Sequence, residues 1–200
     1  MAVVTVAVLA LGGCSGGDDK SSSDGPEPSG HATPEVPADA RLGKVRGRLG
    51  PAKADAVLAA VTTAVEAWVA GAYGGDYPRT DFDPAFAGFT PDARRLALRQ
   101  PDVMSNAAVG AGLQTVEVTE RRIRVDVLGV DGRAAGATAR VRIGLRLTGG
   151  SGGPDGSDGS DGSGGGERTE SVTGRLLLTP VKGGGWQVFG FDVSRGEEGA

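Results

Sequence analysis

The chain has 200 residues, 36 of them Gly and 11 Pro, with 38% apolar and only 4% aromatic residues, enough for one domain or two small ones. A net charge of -4 argues against a nucleic-acid binder, because neutralising phosphates needs a basic surface. A single Cys excludes an internal disulfide framework and a thiolate metal cluster, and a single His removes the common triads and His-based metal sites.

Residues Ala2 to Leu11 are apolar apart from Thr5. As a helix they reach about 15 Å, half of a hydrocarbon core of about 30 Å, so a membrane span is not expected. Their length suits a secretory h-region. No Lys or Arg precedes it, which a start site upstream of Met1 would explain. The run ends in Leu11-Gly12-Gly13-Cys14, which resembles the lipobox of bacterial lipoproteins. In that family the small residues admit the chain to a peptidase, and the Cys thiol is alkylated with diacylglycerol. The resemblance implies a signal peptide over residues 1–13, lipidation of Cys14, and attachment to the extracytoplasmic face of the cell membrane. The alternative is a structural Cys in an N-terminal strand. Ser15-Gly16-Gly17-Asp18-Asp19 opposes it, since such a segment can bury nothing.

Residues 14–50 are expected to form a disordered tether, too poor in apolar groups to offset the entropy of ordering. His31 lies within it and is read as solvated. Arg41, Lys44, Arg46 and Arg48 close it as a basic cluster. This is read as a solvated linker end, with contact to anionic lipid as the alternative.

A folded part is expected over residues 51–195. Leu58, Val61, Val65, Trp68, Val69 and Ala72 recur at spacings of three and four, one face of a helix that Pro51 opens and Gly74-Gly75 stops. A short aromatic helical turn is expected between Asp81 and Phe89. Thr90-Pro91 should cap a further helix carrying Ala93, Leu96 and Ala97, which ends before Pro101.

Beyond residue 113 the period becomes two. Val116 and Val118 have one parity, Ile123, Val125 and Val127 the other, so a bulge is needed between Thr119 and Arg122. Asp131-Gly132 signals a hairpin. The return strand sends Ala137, Ala139, Val141, Ile143, Leu145 and Leu147 inward and Arg140, Arg142 and Arg146 outward. Residues 149–166 read as a disordered insertion at a second hairpin. A third strand follows over 170–181 and a fourth over Trp186–Val193. The whole is an α+β layout, helices packed on a bent antiparallel meander of four strands or slightly more.

A long helix ending in Trp68-Val69-Ala70-Gly71, a Tyr77-Pro78 turn, the Phe82/Phe86/Phe89 segment and a closing Gly-Trp-Gln-Val-Phe strand resemble the nuclear transport factor 2-like cone. That superfamily includes ketosteroid isomerases and dehydratases as well as non-catalytic envelope domains. With the lipobox, the chain resembles small lipoproteins of high-GC, actinobacterial-type Gram-positive bacteria. Its preference for Ala, Gly, Val and Arg over Ile, Asn and Lys fits such genomes.

Enzymes on this cone place an Asp or a His–Asp pair in the pocket, and residues 51–195 contain no His. A lone carboxylate could still act as a general base, from among Asp76, Asp81, Asp83, Asp126 and Asp192. Helix capping, turn formation and pairing with Arg account for each of these without chemistry. The Asp155/Asp158/Asp161 repeat lacks the alternate oxygens and twelfth-position Glu of a calcium loop. No metal or cofactor is expected. Tyr73, Tyr77, Phe82 and Phe86 are candidates to line a cone pocket or else to fill the core. Arg124, Arg140, Arg142, Arg146 and Arg175 form an outward row, either paired across strands or a surface for an anion or a partner. The resulting expectation is a lipid-anchored, non-catalytic binding or scaffolding module with an envelope protein partner. A small-molecule carrier or degenerate enzyme using the cone pocket is the alternative.

Overall fold

The computed structural model describes residues 36–149 and 166–197. The leader, Cys14, His31 and the Asp155/Asp158/Asp161 repeat lie outside the described residues. So does nearly all of the expected insertion.

The first element is a strand, β1 (Asp39–Gly47), where a tether was expected. Ala38, Ala40 and Leu42 pack against the core, while Asp39 and Arg41 alternate with them on the other side. The folded part therefore starts before residue 39, not near Pro51. Four basic residues within eight positions masked this alternation. Pairing with a neighbouring strand supplies the hydrogen bonds that local propensity did not predict.

Helix α1 (Pro51–Ala72) opens with Pro51 at its first position and buries Val57, Val61, Val65, Trp68 and Val69 along one stripe. It is long and apolar enough to cross a membrane by length and composition, yet here that stripe is packed against the sheet. A 3-10 turn (Asp83–Phe86) follows, with Phe86 and Phe89 edge to face at 5.3 Å. Thr90 and Pro91 begin α2 (Pro91–Leu98) as expected. Ala93 and Ala97 are buried there, but Leu96 faces solvent. Pro101, read as a stop, instead starts a single further turn, α3 (Pro101–Met104), since proline's missing N–H is harmless at a first helical position.

Strands β2 (Leu113–Val130), β3 (Arg133–Gly149), β4 (Arg168–Pro180) and β5 (Trp186–Glu197) form an antiparallel meander. β1 adds to β2 in parallel, so the five-stranded sheet is mixed and not antiparallel throughout. Helices α1 to α3 form the crossover that a parallel pair requires. The register between β2 and β3 shifts between Val118 and Glu120, within the expected bulge region. The extra residue brings Val118 and Ile123 to one face. Asp131 (φ 49°) and Gly132 (φ 72°) make the tight turn to β3, two successive left-handed residues of the kind a twisted hairpin favours.

The core lies between α1 and one face of this sheet. Trp68 is its anchor, with its indole Nε1 donating to the Met104 carbonyl at 3.1 Å. The face turned away from α1, here the outer face, carries Arg41, Arg122, Arg124, Arg140, Arg142, Arg146 and Arg175.

Candidate functional site

Strand register sets the arginines in rows. Arg41, Arg124, Arg140 and Arg175 stand side by side on β1 to β4, and Arg122 and Arg142 form a second row beside them. All five arginines of the expected outward row lie on the outer face, Arg146 pairing with Glu117 at 2.7 Å. Arg41 and Arg122 join them. Arg41 was missed because β1 was read as linker. Arg122 follows from the bulge, which gives it the parity of Arg124.

Arg41, Arg122, Arg124, Arg140 and Arg142 line a groove of about 590 Å³ with Asp39 at its rim. Its acids are peripheral. Arg41 pairs with Asp39 at 2.9 Å, Arg122 and Arg142 share Glu120 at 2.7 and 3.0 Å, and Arg140 reaches Asp126 at 3.1 Å. Arg124 makes no hydrogen bond or ion pair among the described residues and acts on Asp126 through its charge alone. Among the described residues, five guanidiniums thus face three carboxylates. Asp126 is held below the usual carboxylate range, first by the Lys44 backbone N–H at 2.7 Å and then by Arg140, against the opposing effect of burial. Gly43 makes that contact possible, since a Cβ there would collide with the Asp126 carboxylate.

A second groove of about 360 Å³ adjoins the first and shares Arg140 with it. Lys44, Arg46, Leu128, Leu177 and Phe189 line it, and Leu128 and Phe189 are each about half exposed at 49% and 50%. The outer face is therefore cationic at one end and both cationic and apolar at the other.

Around the four candidate aromatics the inner face is packed shut. Tyr73, Phe82 and Phe86 are buried in the core, and Tyr77 is half-buried against it. Tyr73 donates its hydroxyl to the Val103 carbonyl at 2.6 Å, Tyr77 donates to the Tyr73 carbonyl, and Asn106 donates to the Tyr77 hydroxyl at 2.7 Å. Burial pushes both phenols up, for Tyr77 against the Asn106 hydrogen bond and the charges of Arg79 and Arg195. These aromatics secure the segment around residues 103–106 to α1.

A cavity of about 620 Å³ opens beside them, between Asp102–Val109 and the ends of β4 and β5. Arg168, Glu170, Arg195 and Glu197 line it, and none of the four candidate aromatics does. Glu170 pairs with Arg168 at 2.7 Å and also with Arg195, which is itself bonded to the Ser105 carbonyl at 3.0 Å. Burial alone would raise the Glu170 carboxyl. The two guanidiniums outweigh it and hold the group below its ordinary range. Sequence reasoning missed this cluster, because Arg168 and Glu170 are brought to Arg195 only by the β4–β5 register.

The candidate carboxylates are dispersed. Asp76, Asp81 and Asp83 are exposed, Asp81 accepting from the Asp83 N–H at 3.1 Å as a turn cap. Asp126 and Asp192 lie on the outer face, Asp192 accepting from Arg175 at 2.9 Å. Among the described residues no three His, Cys, Asp or Glu side chains are placed to hold a metal ion. Comparison with family models, curated proteins and solved structures gives no match for this chain.

Proposed function

We propose that this chain is a lipid-anchored, extracytoplasmic binding module of the cell envelope, without catalytic activity. In this reading Cys14 carries the lipid, a nuclear transport factor 2-like domain follows it, and the outer face binds an anionic partner. The order of long helix, aromatic turn and antiparallel meander supports the likeness to that cone; the parallel β1 ahead of the helix is a feature the likeness did not predict. The observation that carries the reading is the gathering of Arg41, Arg122, Arg124, Arg140 and Arg142 around one open groove. Guanidinium forks match carboxylate and phosphate oxygens, and ion pairs on an exposed surface are worth about 0–1 kcal/mol, so an incoming anion displaces them at little cost.

The cavity lined by Arg168, Glu170 and Arg195 favours a second reading, a small-molecule carrier or degenerate enzyme. Glu170 is its inward carboxylate. A carboxyl held below its usual range by two guanidiniums is a weak base near neutral pH, which favours binding over proton abstraction.

Detergent-phase partitioning tests the anchor. The wild-type chain from a lipoprotein-processing host should enter the detergent phase with Cys14 modified, and Cys14→Ser should remain unprocessed or aqueous. Mature wild-type protein in the aqueous phase with an unmodified Cys14 would contradict the reading. Turnover on ester or ketosteroid-type substrates abolished by Glu170→Gln would replace it with the second.

A further inference from the structure

We infer that the outer face docks on an anionic lipid surface, its arginines meeting headgroup phosphates while Leu128 and Phe189 enter the interfacial layer. This rests on the proposal that the outer face is the binding surface, and it names the partner's chemistry.

Three observations converge on it. The first is like-charge opposition. Arg122 stands directly opposite Arg142, Arg124 opposite Arg140, Arg140 opposite Arg175, and Arg41 opposite Arg124. Cross-strand neighbours of like charge destabilise a sheet, and this sheet accumulates four such pairs in one block. An array of phosphates relieves all of them together, whereas one small anion satisfies two or three guanidiniums.

The second is the exposed apolar pair. Leu128 and Phe189 border the groove that contains Lys44, Arg46 and Arg140. A soluble polyanion offers nothing to those side chains. A bilayer interface takes both groups, apolar side chains at the acyl boundary and cations at the headgroups.

The third is chain connectivity. Asp39 lies at the rim of the arginine groove, and 24 residues separate it from Cys14. Fully extended, that length spans at most about 80–85 Å. A lipid on Cys14 would keep this face within that distance of the bilayer throughout.

The experiment measures partitioning of the full-length chain onto vesicles of phosphatidylcholine alone and of phosphatidylcholine with 30 mol% phosphatidylglycerol (roughly the anionic fraction at which basic clusters respond). Residues 1–13 contain no charged side chain, and the leader is the same in wild type and variants, so its contribution cancels when their ratios are compared. The ratio should exceed about tenfold at low salt and collapse towards one in high salt as the charges are screened. Arg41→Gln/Arg124→Gln should reduce the ratio several-fold, and because the only ion pair lost among the described residues is the exposed one between Arg41 and Asp39, the melting temperature should fall by no more than a few degrees. Phe189→Ser should weaken binding to anionic vesicles several-fold while leaving the salt dependence in place.

A wild-type ratio near one, or a high ratio that survives the double substitution, would overturn the inference. Cys14-dependent entry into the detergent phase reads the anchor separately. If that persists while the ratio is one, docking fails and the anchored-module reading stands.

Discussion

Among the described residues, the titrating groups whose behaviour the fold alters divide into two acids and two phenols. Asp126 and Glu170 are both held below the ordinary carboxylate range, Asp126 chiefly by the Lys44 N–H, Glu170 by Arg168 and Arg195 against its own burial. A carboxyl depressed in the folded state contributes stability above its unfolded value near 4, and that contribution is lost as pH falls through the folded value. Tyr73 and Tyr77 are raised by burial. Their contribution is complete below the unfolded value near 10 and is lost as pH rises beyond it, because the unfolded chain releases those protons first. Melting temperature should therefore be level from about pH 5 to 9 and fall on both sides. Calorimetry across that range checks it, and Tyr77→Phe should weaken the alkaline fall. A stability maximum outside the plateau would show that other groups dominate.

Among the elements, β1 has the most to say about what a sequence discloses. Removing residues 1–47 would expose the edge of β2, the core contacts of Ala40 and Leu42, and the Asp126 carboxylate that the Lys44 N–H now binds. Burial of a Leu-sized side chain is worth about 1.5–3 kcal/mol, so the shortened chain should melt roughly 5–10 °C lower. A domain starting at Pro51 would melt unchanged. The helix α1, the Asp131-Gly132 turn and the inward set from Ala137 to Leu147 were legible, because each repeats one period or concentrates one turn signal over many residues. Even the bulge near Thr119 was legible, as a clash of parities. β1 was not, since its apolar residues are few and its pairing with β2 is parallel and far away in sequence. The same limit applies to the sites. Arg124, Arg140, Arg142, Arg146 and Arg175 could be assigned to one face from alternation alone, but their alignment into rows, and the Arg168–Glu170–Arg195 cluster, depend on register between strands. Tyr73 and Phe86 could not be assigned between pocket and core from sequence, because aromatic side chains suit either; packing against α1 placed them in the core.

On the scale of the whole molecule, charge is unevenly distributed. The chain carries a net charge of -4, yet among the described residues the groove on the outer face has two more guanidiniums than carboxylates. Such segregation orients a protein towards an anionic partner at distances up to about a Debye length, roughly 8–10 Å at moderate salt. The rival site is the cavity beside Val103 and Val109, where Arg168 and Arg195 are already committed to Glu170. The central claim is that anions bind on the outer face and not in that cavity. Two-dimensional NMR of the arginine Nε–Hε groups, during titration of the full-length chain with monomeric dihexanoylphosphatidylglycerol, separates the two directly. The account predicts saturable shifts at Arg122, Arg124, Arg140 and Arg142, with Arg168 and Arg195 unmoved. Shifts confined to Arg168 and Arg195, with the outer arginines silent, would contradict it.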